Sequence, residues 1–96
     1  MNIYELDEND RLDYGCNFRK WLAGPDKTDD DVIVSSSWVI DPGITQEDPT
    51  FDAHSTTIWL KDGVVGTTYE VTNEIHTFKG RIKQRTFGVL VVPIAN

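Results

Sequence analysis

Between Gly66 and Pro93 the large apolar side chains recur at every second position along two runs. Tyr69, Val71 and Ile75 alternate with Glu70, Thr72 and Glu74, and Phe87, Val89 and Val91 repeat that period after Phe78-Lys79-Gly80. A period of two marks a strand with one buried face, so the stretch reads as a long antiparallel hairpin. Its turn sets its register. A two-residue turn at Lys79-Gly80 would place Val71 opposite Gly88 and send Phe87 and Val89 to the face away from Tyr69. A three-residue loop, Phe78-Lys79-Gly80, pairs Val71 with Phe87 and Tyr69 with Val89, so the large groups share one face. It also puts Gly80 where such loops need a positive φ, so this register is expected.

The rest of the chain carries shorter runs. Leu12, Tyr14, Cys16 and Phe18 alternate ahead of Trp21-Leu22, which predicts a first strand of about ten residues running into a bend. A short helix over Asn17–Leu22 is the alternative, because Phe18, Trp21 and Leu22 also fit i, i+3, i+4 spacing. Ala23-Gly24-Pro25-Asp26 reads as a turn. In the next strand, to Ile40, the residues Val32, Val34, Ser36, Trp38 and Ile40 fall on one face, and Trp38 is the expected central core aromatic. Asp41-Pro42-Gly43 is a turn, and Pro49 argues against a central strand in the polar stretch 44–54. Ser55 to Leu60 predicts a strand with Ile58 and Leu60 inside, followed by an Asp62-Gly63 turn. Five strands are clear and about seven are expected, with no helix longer than two turns. That pattern is the sequence form of an all-β, two-sheet antiparallel sandwich with a long C-terminal hairpin. Residues 12–96 are expected to make one sandwich domain, and residues 1–11 an N-terminal arm or edge strand.

The chain's 96 residues suffice for one modest core, burying roughly 60–68% of the unfolded surface. The apolar run from Val89 to Ile94 is far too short to span a bilayer, and no basic-then-apolar leader follows Met1. A soluble protein made in the cytoplasm, without membrane contact, is expected. The single cysteine, Cys16, excludes an internal disulfide and a cysteine-based zinc cage, and reads as a small core residue. The net charge of −7 is uneven: residues 1–48 hold twelve Asp/Glu against four Lys/Arg, whereas residues 49–96 hold four against five. So acidic a chain is repelled by phosphate backbones, and nucleic-acid binding is not expected.

Catalytic patterns are missing from the sequence. There is no glycine-rich phosphate loop, nucleophile elbow or His-Glu-x-x-His run, and Ser35-Ser36-Ser37 sits mid-strand without a neighbouring base. His54 and His76 are too isolated to suggest a metal site. Asp26, Asp29, Asp30 and Asp31 form the best cation candidate, but they lack the alternating spacing of a calcium loop. The expectation is no enzyme, no cofactor and no bound metal. The hairpin tip is the better candidate for function. Lys79, Arg81, Lys83 and Arg85 are four of the nine basic residues, and the chosen register puts the last three on one face with Thr77, Ile75 and Asn73. A basic tip and an acidic opposite half suit a head-to-tail contact, which closes into a ring when the rotation permits. The plainer reading is that these charges guard a strand edge against aggregation.

Several of these motifs together resemble a family. Asp13-Tyr14 with Trp21-Leu22, then Ile33-Val34-Ser35-Ser36-Ser37-Trp38, is similar to the small structural proteins of tailed bacteriophages that act as fibre–tail adaptors. Thr57-Ile58-Trp59-Leu60 with Asp62-Gly63, Gly66-Thr67-Thr68-Tyr69, Val71-Thr72-Asn73, Gly80-Arg81 and Arg85-Thr86-Phe87 continue the likeness. It covers about residues 7–93. The final hairpin also resembles the last two strands of immunoglobulin-like and polycystic-kidney-type domains, which makes the expected sandwich immunoglobulin-like. The resemblance implies a non-enzymatic virion component that helps join tail or head–tail proteins or carry a fibre, and a homo-oligomer in the assembled particle is expected. Two other classes stay open: a capsid decoration protein, and a glycan- or surface-binding module using Trp59 and Trp21 as an apolar platform.

Overall fold

Short apolar runs separated by turn residues become strands in the computed structural model of the chain, which describes residues 1–24 and 31–94. In chain order these are β1 (Ile3–Asp7), β2 (Leu12–Asn17), the one-turn helix α1 (Arg19–Leu22), β3 (Ile33–Ile40), β4 (Thr45–Phe51), β5 (Ser55–Lys61), β6 (Thr68–Thr77) and β7 (Ile82–Val92). They form a four-stranded sheet, β1-β7-β6-β3, facing a three-stranded sheet, β2-β5-β4. Every pairing is antiparallel except β1 with β7. The alternation of each strand sends one row of side chains between the sheets, where Leu6, Ile58, Leu60, Val71, Ile75 and Val89 are fully buried.

The β6–β7 hairpin adopts the expected register. Val71 lies opposite Phe87 and Tyr69 opposite Val89. The Thr77 amide donates to the Arg81 carbonyl at 2.9 Å and the Gly80 amide to the Thr77 carbonyl at 3.0 Å, closing a loop of residues 78–80. Gly80 has φ +85°, a region that costs other residues about 1–2 kcal/mol.

Three expectations are corrected. The first strand does not run for ten residues: it stops at Asn17, and the alternative helical turn forms over Arg19–Leu22. Phe18 and Leu22, four apart, are 0% and 1% exposed, and the Leu22 amide donates to the Phe18 carbonyl at 2.8 Å. A helical turn buries both side chains at once, which a continued strand cannot do. The second correction concerns the inward row of β3. Ile33 faces Thr77 but Ser35 faces His76, so Val34 is an extra, bulged residue. Ile33 therefore points inward and Val34, 51% exposed, points out, while Ser36, Trp38 and Ile40 keep the inward face. The third is Trp38, which is half-buried rather than central, because β3 is the last strand of its sheet. It packs edge-on against Phe87 at 6.3 Å, and its buried indole N–H has no partner among the described residues. Phe18 is the aromatic that is fully enclosed.

The polar stretch around Pro49 is not central, as its proline requires, but it does form a strand. β4 is an edge strand whose pairing with β5 is interrupted between Glu47 and Thr50, where Asp48 has φ +50°.

Two polar anchors tie the layers together. The Tyr69 hydroxyl accepts the Val64 amide at 2.9 Å and donates to the Gly43 carbonyl at 3.3 Å. It thereby fastens the approach to β6 onto the β3–β4 turn, in the manner of the tyrosine corner of immunoglobulin-like sandwiches. Asn73, fully buried, accepts the Thr56 hydroxyl of the facing sheet at 2.6 Å and donates to Ser36 and Ser37 at 2.9 Å. Inside a core such a group is tolerated only when satisfied on both its oxygen and its nitrogen, as here. The fold is an immunoglobulin-like β-sandwich with a long C-terminal hairpin.

Candidate functional site

The hairpin register decides where the basic residues stand. Lys83 lies opposite Ile75 and Arg85 opposite Asn73, so they and Arg81 project from the inward face of β7. Near the tip this face meets α1 and the start of β3. The Arg85 guanidinium covers the Phe18 ring at 4.3 Å and donates to the Asn17 carbonyl at 2.8 Å. Arg81 lies over the Trp21 ring at 5.0 Å and donates to the Leu22 carbonyl at 3.4 Å. Both arginines thus close the end of the sandwich over α1, and present only part of their length to solvent.

Asp31, immediately before β3, completes this closure. Its buried carboxylate accepts Arg81 Nη2 at 2.8 Å and Nε at 2.9 Å, and the amides of Val32 and Lys79 at 3.0 Å each. Burial pushes its pKa up, but hydrogen bonds from the Thr77 hydroxyl, the Lys79 amide, Arg81 and the Val32 amide together outweigh it and hold the carboxyl below its ordinary value. One carboxylate therefore locks the hairpin loop, the start of β3 and Arg81 into a single unit. Sequence reading missed this pair: fifty positions separate its members, and Asp31 looked like one of four clustered aspartates. The other three, Asp26, Asp29 and Asp30, lie outside the described residues, as does the Pro25-Asp26 half of the expected turn. Among the described residues no group of three or more His, Cys, Asp or Glu side chains could hold a metal.

Around this closure sits a basic surface. Arg19 and Lys20 are exposed on α1, Lys83 is half-exposed beside Ile75, and Lys79 is exposed on the loop. Arg19 and Lys20 line a shallow depression with Asn17 and Arg85. The opposite end of the body is acidic. The β1–β2 turn carries Asp7, Glu8 and Asp10 with Asp13 following, and Asp41, Asp62, Glu47 and Asp48 lie in or beside the neighbouring connections. Among the described residues Arg11 and Lys61 offset them. Arg11 bonds Glu47 at 2.8 Å and Asp48 at 2.6 Å, and Lys61 reaches Glu47 at 3.5 Å. Glu47 is held below its ordinary pKa, first by the Arg11 hydrogen bond. Tyr14, which donates to the Glu5 carbonyl at 2.9 Å, is pushed up to about 12 by burial and then by Asp10, Asp13 and Asp7. Among the described residues most carboxylates thus stand at this end of a body of 48 × 21 × 17 Å, with Asp31 and Asp52 at the basic end.

The remaining candidates have structural roles. Cys16 is buried, and burial raises its thiol pKa, which disfavours the thiolate. Trp21 and Trp59 are each half-buried under an arginine, Trp59 under Arg11 at 4.4 Å. They sit on α1 and on the outer face of β5, and do not form one apolar platform. His76 accompanies Glu74 at 3.1 Å on the outer face of the large sheet.

A family model described as "Podophage GP4 fiber-tail adaptor protein gp77" matches residues 7–90. Among solved structures, the solution structure of the PKD domain from KIAA 1837 protein superposes with a TM-score of 0.62 at 21% identity, covering 100% of this chain and 85% of that one. At that identity the likeness is one of fold. No curated protein matches the chain.

Proposed function

Because the chain belongs to the podophage GP4 fiber-tail adaptor family, we propose that it works in the virion as a non-enzymatic joint between tail proteins, using its two oppositely charged ends. The observation that carries this reading is the uneven distribution of the described charges along the 48 Å body, with most carboxylates at one end and Arg19, Lys20 and Lys79 exposed at the other. Complementary potentials steer partners into one orientation, and a rigid sandwich holds the two contacts at fixed distance. The basic end, with Lys79, Arg81, Lys83, Arg85, Arg19 and Lys20, faces one acidic neighbour. The end around Asp7, Glu8, Asp10 and Asp41 faces a basic one. The same complementarity suits copies of this chain meeting end to end around the tail axis, a heterologous contact that closes into a ring. Binding to nucleic acid or membrane has no part in this reading.

Particles assembled without this protein test it. Filled heads of normal stability that lack fibre or tail-tip proteins are expected, with the missing components restored when purified protein is added. Particles that keep their fibres but have fragile heads would overturn the proposal in favour of a capsid decoration role.

A further inference from the structure

A sandwich leaves edge strands, and a bare edge is a template for another strand. Three of the four edges here carry guards. β1 has Glu5 and Asp7, β2 has Asp13, and β4 has Glu47, Asp48, Pro49 and an irregular kink. β3 has no charge and no proline from Ile33 to Ile40, and its bulge at Val34 lies at its start, where the Ile33 amide is bonded to the Ala53 carbonyl, which leaves Ser36 to Ile40 without a guard. The phase of its ladder is fixed at one end, where the Asp41 amide donates to the Glu70 carbonyl at 3.1 Å. Residues 35, 37 and 39 therefore bond to β6, and the N–H and C=O groups of Ser36, Trp38 and Ile40 point to the free edge. Among the described residues none of these groups has a hydrogen-bond partner. Beside the edge, Ser36, Pro49, Thr50 and Phe51 line a depression of about 110 Å³, room for one medium apolar side chain.

We propose that the free edge of β3 receives an uncharged, extended segment of a neighbouring virion protein as an added strand. Backbone bonds to Ser36, Trp38 and Ile40 supply affinity, and one apolar side chain of the segment enters the depression at Phe51, which sets register. This is recognition by strand addition, with main-chain bonds for affinity and a pocket for alternate side chains. The pocket favours a partner over a second copy of this chain. A second β3 offers an equally neutral backbone, but its inward Trp38 and Ile40 already pack on their own core and have nothing to place in the depression. The inference rests on the adaptor reading and adds the mode of contact.

Hydrogen exchange on labelled protein, free and bound to tail particles assembled without it, tests the proposal. On binding, the amides of Ser36, Trp38 and Ile40 are expected to slow by at least about ten-fold, while those of Ser35, Ser37 and Val39, already bonded to β6, change little. Ser37→Lys, which places a charge on the exposed side of the edge, is expected to weaken binding by at least about ten-fold, and Thr86→Lys, away from the edge, to leave it unaltered. Bound protein whose edge amides still exchange at the free rate overturns the inference and leaves the adaptor reading standing. Failure to bind the particles at all overturns both. Edge protection that grows with the concentration of free protein would assign the edge to a second copy, and also overturns it.

Discussion

Asp31 is the residue through which the tip of the molecule is held together. Its carboxylate is enclosed and its partner Arg81 is one-third exposed, so breaking the pair deprives a partly buried guanidinium of its counter-charge. Asp31→Asn is expected to lower stability by about 3 kcal/mol, the low end for a buried pair, measured by urea unfolding at neutral pH. The pH dependence has a definite sign. The folded carboxyl lies below its unfolded value of about 3.9, so the stabilisation is complete above that pH and disappears as pH falls through the folded value. The gap between wild type and Asp31→Asn should therefore narrow in acid. Tyr69 makes a second local claim. Tyr69→Phe keeps the packing but removes both hydroxyl bonds, and a loss of about 1–3 kcal/mol is expected in the same assay. At this scale the sequence was partly readable. Tyr69, Val71, Ile58 and Val89 were placed in the core by alternation alone. The Asp31–Arg81 pair was not, because no local pattern links a loop aspartate to an arginine on a distant hairpin. The size of Trp38 argues for the centre, while the strand order, which no residue announces, puts β3 at the edge.

Among the elements, the hairpin shows how much periodicity and turn chemistry together can specify. Only one loop length puts Tyr69, Val71, Phe87 and Val89 on one face, and Gly80 supplies the conformation that loop requires. Gly80→Val should cost about 1–2 kcal/mol, read as a lowered unfolding midpoint with the far-ultraviolet spectrum preserved. A variant as stable as wild type would contradict the assigned turn. Two other elements were harder to read, for opposite reasons. Around Phe18 the strand and helix periods both fit, and the choice fell to tertiary burial of Phe18 and Leu22. In β3 a single bulged residue, Val34, shifted the inward row, and bulges have no composition of their own. β4 is legible in its limits more than its existence: Pro49 argues against a central position, and its low apolar content hides the strand.

For the whole molecule, the fold converts a charge imbalance along the sequence into one along an axis. Among the described residues, Asp7, Glu8, Asp10, Asp13, Asp41 and Asp62 gather at one end because the β1–β2, β3–β4 and β5–β6 connections all turn there, while the β6–β7 loop and α1 carry basic residues to the other. Lys20→Glu with Lys83→Glu leaves the Asp31 unit intact and should not alter the unfolding midpoint. It should slow association with tail particles at low salt, with the difference from wild type shrinking as salt rises. Association rates measured across a salt series check this, and a variant that binds like wild type at every ionic strength would remove the basic end from the contact. The central claim, that this sandwich joins tail proteins, is tested most directly by an electron-microscopy reconstruction of the particle. The account predicts the chain in a ring of about a dozen copies or fewer on the tail axis, its basic and acidic ends against different neighbours. Hundreds of copies spread over the head lattice would contradict it.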